Sequence, residues 1–399
     1  MTASFSLGRL PRITFGSGGF ERVPEVVAGH GRRVLLVTGG RSLAASGRRE
    51  SLLAGLASAG TVVVGEAVVT GEPSPEVVDG AVAASRDAAV DVVLGVGGGS
   101  VLDAAKAIAG LLRTGASVVD HLEGLPGMRP YDGPSVPLVA VPTTAGTGSE
   151  ATRNAVVTAR GPKGYKRSFR DERLVAADAV VDPDLLAGND RARIAANGMD
   201  ALTQLLEAYT SLRAGPLTDA LALSGLEAAR DGLVAWHADP DGPAAPEARS
   251  RMAYAALLSG ICLAHAGLGA VHGLASPLGA QFPVPHGAAC GATLAAVTAA
   301  NIGALVERDP GSFALERYAR LGRLVARLPE TTGDAEARGA LVLTLSDWTA
   351  VLEVPRLRAF GIGEVDVPAI LADARGSSMR TNPIVLTDEE IAGILAAVI

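Results

Sequence analysis

The amino-acid sequence predicts an α/β domain followed by an all-helical domain. Through about residue 185, short runs of β-branched residues alternate with helical stretches. This alternation is typical of a doubly wound parallel sheet covered by helices on both faces. After Asp182 and Pro183 the apolar spacing becomes mostly helical, and β-branched runs become rare. We therefore place an α/β domain at 1–185 and a helical domain at 186–399.

The elements of the first domain follow in order. Strands are predicted at 34–38, 61–64, 91–94 and 136–141. Helices are expected after Gly39 and Gly40 through about residue 59, from Pro75 onward, and over about 100–112. Pro75 suits the first turn of its helix because its missing N–H would have no partner there.

The second domain is predicted from helical periodicity at 200–212, 218–236 and 247–263. The sequence TDEE at 387–390 is typical of a capping box before a last helix. The apolar stretch 253–280 is interrupted by His265, His272 and Pro277. It indicates a buried helix leading into a loop, not a membrane span.

Composition limits the possible functions. The chain has 399 residues, a net charge of -7, 48% apolar residues and 19% charged residues, which indicates a folded globular protein. The absence of a basic block argues against nucleic-acid binding, and the N-terminus lacks the apolar run of a signal peptide. We expect a cytoplasmic protein without a membrane partner. Only three of the 35 basic residues are lysines, at 106, 163 and 166, so a retained lysine can mark a role that arginine does not fill.

Two polar turns follow predicted strands. The glycines 95 and 97–99, with Ser100, lie between a strand and a helix, where exposed backbone N–H groups favour a phosphate. The alternative is an ordinary tight turn. Residues 142–150 follow the next strand and are rich in hydroxyls and glycine, which is consistent with ligand binding at the carboxyl end of a sheet. The alternative there is a connection that satisfies its own backbone.

Candidate metal ligands occur in the second domain. Asp200 and Gln204 are four residues apart on a helix and share a face. His272 precedes His286 by fourteen positions. Carboxylate and imidazole groups suit a divalent Fe, Zn or Mn ion. A solvated helix face and hydrogen-bonded core histidines are the alternatives.

Six stretches of the chain resemble the iron-containing, group III alcohol dehydrogenases, a superfamily that includes glycerol dehydrogenase, maleylacetate reductase and dehydroquinate synthase. They occur in family order and cover the chain almost end to end: GVGGGSVLDAAKAIA (95–109), PTTAGTGSEATRNAVVT (142–158), AVVDPDLL (179–186), NGMDALTQLLEAYTS (197–211), GLGAVHGLASPLGAQFPVPHG (267–287) and RTNPIVLTDEEIAGIL (380–395). The resemblance implies a dehydroquinate synthase-like fold, with a nucleotide-binding domain, a helical metal-binding domain and an active site in the cleft between them.

The resemblance also implies residue roles. The dinucleotide would contact a set drawn from both turns and a later strand: Gly97, Gly98, Gly99, Ser100, Asp103, Thr143, Thr144, Thr152 and Lys166. The family's metal ligands, an Asp, a His four residues later and two further His, fall on Asp200, Gln204, His272 and His286. Gln204 therefore replaces a histidine. A further family histidine, near the nicotinamide, is Ser276 here, and its hydroxyl is a candidate for a proton relay.

Coenzyme choice is predicted from the residues that follow the strand at 34–38. An acidic residue near this position favours NAD, whereas arginine suits the 2′-phosphate of NADP. The family often has Asp after the position of Thr38, but this chain has Gly39, Gly40 and Arg41. We therefore expect NADPH to be accepted and mildly favoured over NADH.

These observations predict an NAD(P)H-dependent alcohol dehydrogenase or carbonyl reductase. A metal, Fe or Zn, would polarise the carbonyl of a small aldehyde or ketone. One alternative is a metal-free or weakly metal-dependent reductase of an acidic carbonyl compound, of the maleylacetate or phosphonoacetaldehyde type, with Arg153, Arg167 and Arg170 as candidate anion ligands. Another is a non-redox enzyme similar to dehydroquinate synthase. We expect a homodimer or higher homo-oligomer.

Overall fold

The computed structural model of the protein describes residues 5–40, 42–160 and 164–399. The chain divides into two compact units. The sheet unit is Gly8–Ala187, and the helical unit is Gly188–Ile399 together with the described residues that precede Gly8. The boundary thus follows residue 187 where the sequence suggested 185. The start of the chain belongs with the helical unit because Phe5 packs beside Gly215.

Six parallel strands form the sheet of the sheet unit, in the order β1-β8-β5-β4-β2-β3. A separate antiparallel pair consists of β6 and β7. The four strands predicted from sequence are present, and β1, β6, β7 and β8 were not predicted. The bounds are β1 Arg12–Phe15, β2 Arg33–Gly39, β3 Val62–Val69, β4 Val92–Gly97, β5 Leu138–Pro142, β6 Asn154–Ala159, β7 Tyr165–Arg170 and β8 Asp178–Val181.

Helices cover both faces of this sheet: α1 Val23–Ala28, α2 Ser42–Ala45, α3 Arg48–Ser58, α4 Pro75–Ser85 and α5 Gly99–Leu111. The side chains of β2 alternate between two hydrophobic cores, as the pleat requires. Leu35 and Val37 pack in the core that contains α4 and α5. Val34 and Leu36 pack in the core that contains α1 and α3. The predicted doubly wound α/β architecture is therefore confirmed.

The helical unit contains the remaining helices: α6 Arg191–Thr210, α7 Pro216–Ala238, α8 Ala245–Ala266, α9 Ala270–Gln281, α10 His286–Arg308, α11 Phe313–Val325, α12 Asp334–Val351, α13 Val367–Asp373 and α14 Asp388–Val398. The predicted capping box is present, because Thr387 and Glu390 exchange side chain–backbone hydrogen bonds. The prediction of one helix leading into a loop at 253–280 was wrong. The chain forms α8 and α9, bent by 102°, because Gly267 adopts a positive φ of 76° that ends α8.

Within the described part of the chain, α10 is the one single helix long and apolar enough to cross a membrane. The bent pair α8 and α9 would pass the same test if it were one span. Core helices of soluble proteins also have these properties, and most of α10 is apolar because it is packed against α6, α9 and α12.

Candidate functional site

The sheet unit has a topological switch point between β2 and β4. From β2 the chain passes to β3 on one side, and then crosses to β4 on the other side of β2. Ligands of open α/β sheets bind outside the carboxyl ends of the strands at such a point. β2 ends at Gly39 and β4 ends at Gly97, so the predicted glycine turn after β4 lies at this point.

The turn after β4 leads directly into the N-terminus of α5. Gly98 is the N-cap residue and has an extended backbone, and its carbonyl accepts hydrogen bonds from Val101 and Leu102. Gly98, Gly99 and Ser100 are partly exposed. The first-turn N–H groups of a helix and its dipole favour an anion at this end. The thirteen-residue helix α5 therefore offers a phosphate site where the sequence predicts one.

The hydroxyl-rich turn after β5 lies against these glycines. The Thr143 N–H donates to the Gly97 carbonyl at 3.0 Å. A Cβ at Gly98 would lie 3.1 Å from Thr144 Oγ1, and one at Gly99 would lie 2.6 Å from the Thr147 side chain. A side chain at position 99 would therefore require Thr147 to shift, and one at position 98 would be packed tightly against Thr144. The structure brings the predicted glycines and threonines together at the switch point.

Asp103 and Lys106 of α5 form hydrogen bonds that fix the hydroxyl-rich turn after β5. Asp103 accepts a hydrogen bond from Ser149 Oγ at 2.5 Å and lies 3.1 Å from Lys106 Nζ. Lys106 Nζ also donates to the Ser149 carbonyl at 3.0 Å, to Thr152 Oγ1 at 2.8 Å and to the Asn154 carbonyl. Lys106 is 1% exposed, so it is an internal anchor. Asp103 and Thr152 both bond to Lys106 and Ser149 inside the protein, and any contact they make with a dinucleotide would be additional.

The remaining cofactor candidates lie on β2 and β7. Lys166 Nζ lies 2.5 Å from Glu72 Oε1, and Thr158 Oγ1 donates to the other oxygen of Glu72 at 2.7 Å. Lys166 thus binds a carboxylate in the protein itself. Gly39 ends β2 at the switch point. Arg41, on which the NADPH prediction depends, lies outside the described residues.

The helical unit holds a second cluster, built where α10 crosses α6. A Cβ at Gly287 would lie 2.0 Å from the Ala196 carbonyl oxygen, so the two backbones are in contact. One turn later, a Cβ at Gly291 would lie 3.1 Å from the Met199 side chain. His286 and Cys290 each precede one of these glycines, and the close crossing places both beside Asp200 of α6.

Four side chains direct ligand atoms to one point. The ligand atoms of Asp200, His272, His286 and Cys290 all lie within 4.8 Å of one another. Asp200 Oδ1 is 3.2 Å from His272 Nε2 and 3.7 Å from His286 Nε2. Cys290 Sγ is 3.8 Å from His272 Nε2 and 3.9 Å from His286 Nε2. The His286 side chain is 28% exposed while the other three are buried, so a small molecule can approach from the side of His286.

Glu207 orients the His272 ring through the nitrogen that does not face the ligand cluster. Its Oε2 lies 2.7 Å from His272 Nδ1, and its Oε1 accepts a hydrogen bond from the Val271 N–H at 2.7 Å. A carboxylate bonded to the distal nitrogen of a ligand histidine fixes the tautomer and the ring orientation. Asn382 supports the same helix because its Oδ1 accepts from the Ala270 N–H at 3.0 Å.

Gln204 stands where the family has a histidine ligand. Its side-chain amide forms hydrogen bonds with other protein groups. Its Oε1 accepts a hydrogen bond from Ser259 Oγ at 2.9 Å. Its amide also hydrogen-bonds the Asp200 carboxylate. The carboxylate requires a donor, so the NH₂ group faces Asp200 and the carbonyl oxygen faces Ser259.

The charges of this cluster suit a cation. Burial opposes the charging of Asp200, but His286 and His272 hold the pKa of Asp200 below its ordinary value. Burial likewise opposes protonation of His272, yet Cys290, Asp200 and Glu207 raise the pKa of His272 well above its ordinary value. Burial raises the pKa of the Cys290 thiol to about 11. A buried carboxylate with imidazole and sulfur ligands around one point is a donor set that fits a divalent transition-metal ion.

Sequence reasoning missed Cys290 and Glu207. Both had a usable signal, since Cys290 follows His286 by four positions and Glu207 follows Asp200 by seven, so each shares a helix face with a predicted ligand.

Ser276 lies one turn after His272 on α9 and is partly exposed. His265 is partly buried, and its Nδ1 lies 2.7 Å from the Ile261 carbonyl oxygen.

Comparison with known proteins identifies the family of both units. The model of the iron-containing alcohol dehydrogenases matches residues 11–183, and the C-terminal model of the same family matches residues 194–399. Alcohol dehydrogenase 4 of Saccharomyces cerevisiae (strain YJM789) is 30% identical over an alignment of 396 residues that covers 97% of this chain and 96% of that protein. Lactaldehyde reductase of Escherichia coli (strain K12) is 32% identical over 383 residues, covering 94% and 95% of the two chains.

The fold agrees with this result. The crystal structure of a 1,3-propanediol oxidoreductase superposes with a TM-score of 0.88 at 29% identity, over 100% of both chains. The predicted family and fold class are both confirmed. The chain is therefore an oxidoreductase that belongs to the iron-containing alcohol dehydrogenase family.

Proposed function

We propose that this protein transfers a hydride between NAD(P)H and a small aldehyde or ketone, with a divalent metal held by Asp200, His272 and His286. The single observation that carries the proposal is the convergence of these ligands, with Cys290, within 4.8 Å in a chain of this family. Lactaldehyde reductase and 1,3-propanediol dehydrogenase among the relatives support a small carbonyl substrate.

The protein supplies binding and orientation. When bound, the metal supplies Lewis acidity toward the carbonyl oxygen, and the dinucleotide supplies the hydride. Asp200 and His272 are fixed in place by burial and by Glu207, so the donors are organised before the metal arrives. His286 is the partly exposed ligand, and the substrate oxygen would approach on its side.

The switch-point turns would hold the dinucleotide. The N-terminus of α5 with Gly98, Gly99 and Ser100 would receive the diphosphate, and Thr143 and Thr144 would donate hydroxyls. Asp103, Thr152 and Lys166 would act through the turn and strand positions that they stabilise. Ser276 lies near the ligand His272 in sequence and is a candidate relay for the alkoxide proton.

The alternative substrate class, an acidic carbonyl compound, has weaker support. It depended on Arg153, Arg167 and Arg170 as anion ligands. Arg153 forms an ion pair with Glu172, and Arg170 Nη1 lies 3.4 Å from Glu123 Oε1. Two of the three arginines therefore bind carboxylates within the sheet unit, and an uncharged aldehyde or ketone is the better proposal.

The decisive experiment measures metal content and turnover on one preparation. We expect one equivalent of metal per chain by elemental analysis, and NADPH oxidation with small aldehydes that stops on chelation and returns on metal addition. Asp200→Asn should lose both, while Asp347→Asn, which removes an exposed carboxylate on α12, should lose neither. Unchanged rates after complete metal removal would refute the metal's role. Absence of any net NAD(P)H oxidation would favour a non-redox enzyme.

Two properties complete the proposal. We expect a cytoplasmic homodimer or higher homo-oligomer, to be measured by light scattering. We also expect NADPH to be used at least as well as NADH, because Arg41 stands where an acidic residue would favour NAD. A relative named NAD-dependent methanol dehydrogenase, from Bacillus methanolicus, is 29% identical over 387 residues, so the coenzyme preference requires its own measurement.

A further inference from the structure

Cys290 occupies the position of a ligand in the cluster on α6, α9 and α10. Its Sγ lies 3.8 Å and 3.9 Å from the Nε2 atoms of His272 and His286. Cys290 is fully buried. A thiol that lies beside two imidazoles and a carboxylate completes a donor set that is typical of transition-metal sites.

The spacing of these atoms matches tetrahedral coordination. With Zn–N and Zn–O distances near 2.0 Å and Zn–S near 2.3 Å, the edges of a tetrahedron are about 3.3 Å between N or O ligands and about 3.6 Å between N and S. The corresponding distances are 3.2 and 3.7 Å from Asp200 to the histidines, and 3.8 and 3.9 Å from Cys290 to the histidines. Small side-chain shifts suffice to bring the four atoms onto one ion, and the exposed side of His286 leaves room for the substrate oxygen as a fifth ligand.

Gln204 does not compete for that position in this arrangement. Its carbonyl oxygen already accepts from Ser259 Oγ, and its amide donates to Asp200. Rotating the amide to present its oxygen to an ion would break both hydrogen bonds, and it would place the weaker neutral donor where a thiol is already available.

We propose that Cys290, and not Gln204, is the fourth protein ligand, and that the resulting Asp-His-His-Cys set selects Zn²⁺ over Fe²⁺. This inference rests on the proposed metal site of Asp200, His272 and His286. The count of four protein ligands stays as the family pattern requires, but the fourth comes from α10. A thiolate is a soft ligand that favours Zn²⁺, and Zn²⁺ also exceeds Fe²⁺ in the general order of affinities. On binding, the thiol proton passes to solvent as the sulfur–metal bond forms.

The test uses Co²⁺ as a spectroscopic substitute for Zn²⁺ in the full-length protein. A thiolate ligand to Co²⁺ gives an intense near-ultraviolet charge-transfer band, which carboxylate, imidazole and amide ligands do not give. We expect this band in the wild type and in Cys262→Ser, the matched control, because Cys262 donates to the Thr218 carbonyl on α7 and is no part of the cluster. Cys290→Ser should abolish it.

Metal affinities provide the second measurement. Cys290→Ser should weaken Zn²⁺ binding by about 100-fold or more. This exceeds the roughly 10- to 100-fold loss expected when a residue that only hydrogen-bonds to a metal ligand is removed. Gln204→Ala removes only a residue of that second kind, so it should keep the charge-transfer band. Wild-type protein offered equal Zn²⁺ and Fe²⁺ without oxygen should contain mostly zinc, and Cys290→Ser should contain a smaller share of zinc because only the general order of affinities then favours it.

The outcomes separate this inference from the proposed function. A wild type that binds Co²⁺ without the sulfur band, while chelation still stops turnover, overturns the role of Cys290 and leaves the proposed function standing. A band that persists in Cys290→Ser, or disappears in Gln204→Ala, also overturns it. A wild type that binds no metal overturns both. The wild-type spectrum decides the question even if Cys290→Ser fails to fold.

Discussion

Replacement of Lys106 by methionine should destabilise the sheet unit strongly. Methionine has nearly the same length but no donor. The Nζ atom makes hydrogen bonds to the carbonyls of Ser149 and Asn154 and to Thr152 Oγ1, and it neutralises Asp103 at 3.1 Å. At 1% exposure, water does not reach these groups to replace the ammonium. The chain has only two other lysines, and this one fills a role that depends on a compact, three-donor cation.

The magnitude follows from the partners left behind. Removing one member of a buried ion pair costs about 3–5 kcal/mol, and each buried acceptor without a donor costs about 1–3 kcal/mol. Loss of the ammonium's own desolvation penalty, which lowers the pKa of Lys106, offsets part of this cost. Asp103 also keeps Ser149 Oγ and the Val156 N–H as donors. We therefore expect Lys106→Met to lower the free energy of unfolding by about 3–5 kcal/mol.

Urea unfolding followed by far-ultraviolet circular dichroism measures this loss, and hydrogen exchange should show the largest increase at residues 149–156. Lys106→Arg should cost about 1–3 kcal/mol, because the larger planar guanidinium overpacks the pocket. Lys166→Met is the comparison variant, because Lys166 pairs with the single carboxylate of Glu72 at 12% exposure and its loss should cost less than that of Lys106, about 1–3 kcal/mol. A change below about 0.5 kcal/mol in Lys106→Met would refute the anchor role, since that is the usual range of neutral surface substitutions.

Four further predictions follow from the two sites. Glu207→Gln should weaken metal binding by about 10- to 100-fold, measured by competition with a chromophoric chelator, because the carboxylate that orients His272 is lost. Gly99→Ala should raise the Kd for NADPH, measured by fluorescence titration, because its Cβ would meet Thr147 at 2.6 Å and displace the turn. Arg41→Asp should shift the NADPH/NADH ratio of kcat/KM toward NADH if the guanidinium binds the 2′-phosphate. Burial raises the pKa of Glu150 to about 7 from an ordinary 4.5. The stability that the neutral carboxyl contributes is therefore present below about pH 4.5 and is lost as the pH rises through 7. Glu150→Gln should raise the free energy of unfolding by up to about 3 kcal/mol at pH 8 and change it little at pH 4.

Each of these predictions has a clear contrary result. Full metal affinity in Glu207→Gln would mean that the carboxylate does not position its histidine. An unchanged Kd in Gly99→Ala would remove the turn from dinucleotide binding, and an unchanged coenzyme ratio would do the same for Arg41. Equal effects of Glu150→Gln at pH 4 and pH 8 would show that the carboxyl does not titrate between them. Gly80→Ala on α4, where an added Cβ meets nothing within 4 Å, is the control for the glycine substitution.

Regular, locally encoded elements of the fold were predictable from sequence. The buried strands β2 and β4 are continuous apolar runs ended by glycine, and the long helices of the helical unit have clear periodicity. The strand β7, Tyr165–Arg170, was not predicted because its sequence YKRSFR is mostly polar, and it is a strand only because it pairs with β6. The break between α8 and α9 was missed because it depends on one glycine with a positive φ.

The sequence by itself determined the family and the alternation of strands and helices in the first domain, and it singled out Asp200, His272 and His286 as candidate ligands, since these lie in continuous motifs. The tertiary structure decided which further groups join them. Cys290 lies beside Asp200 because Gly287 allows α10 to approach the backbone of α6 closely. The sequence pattern of either helix alone does not specify how closely the two helices pack. Local sequence records periodicity and residue chemistry, whereas a coordination shell depends on how closely separate helices pack.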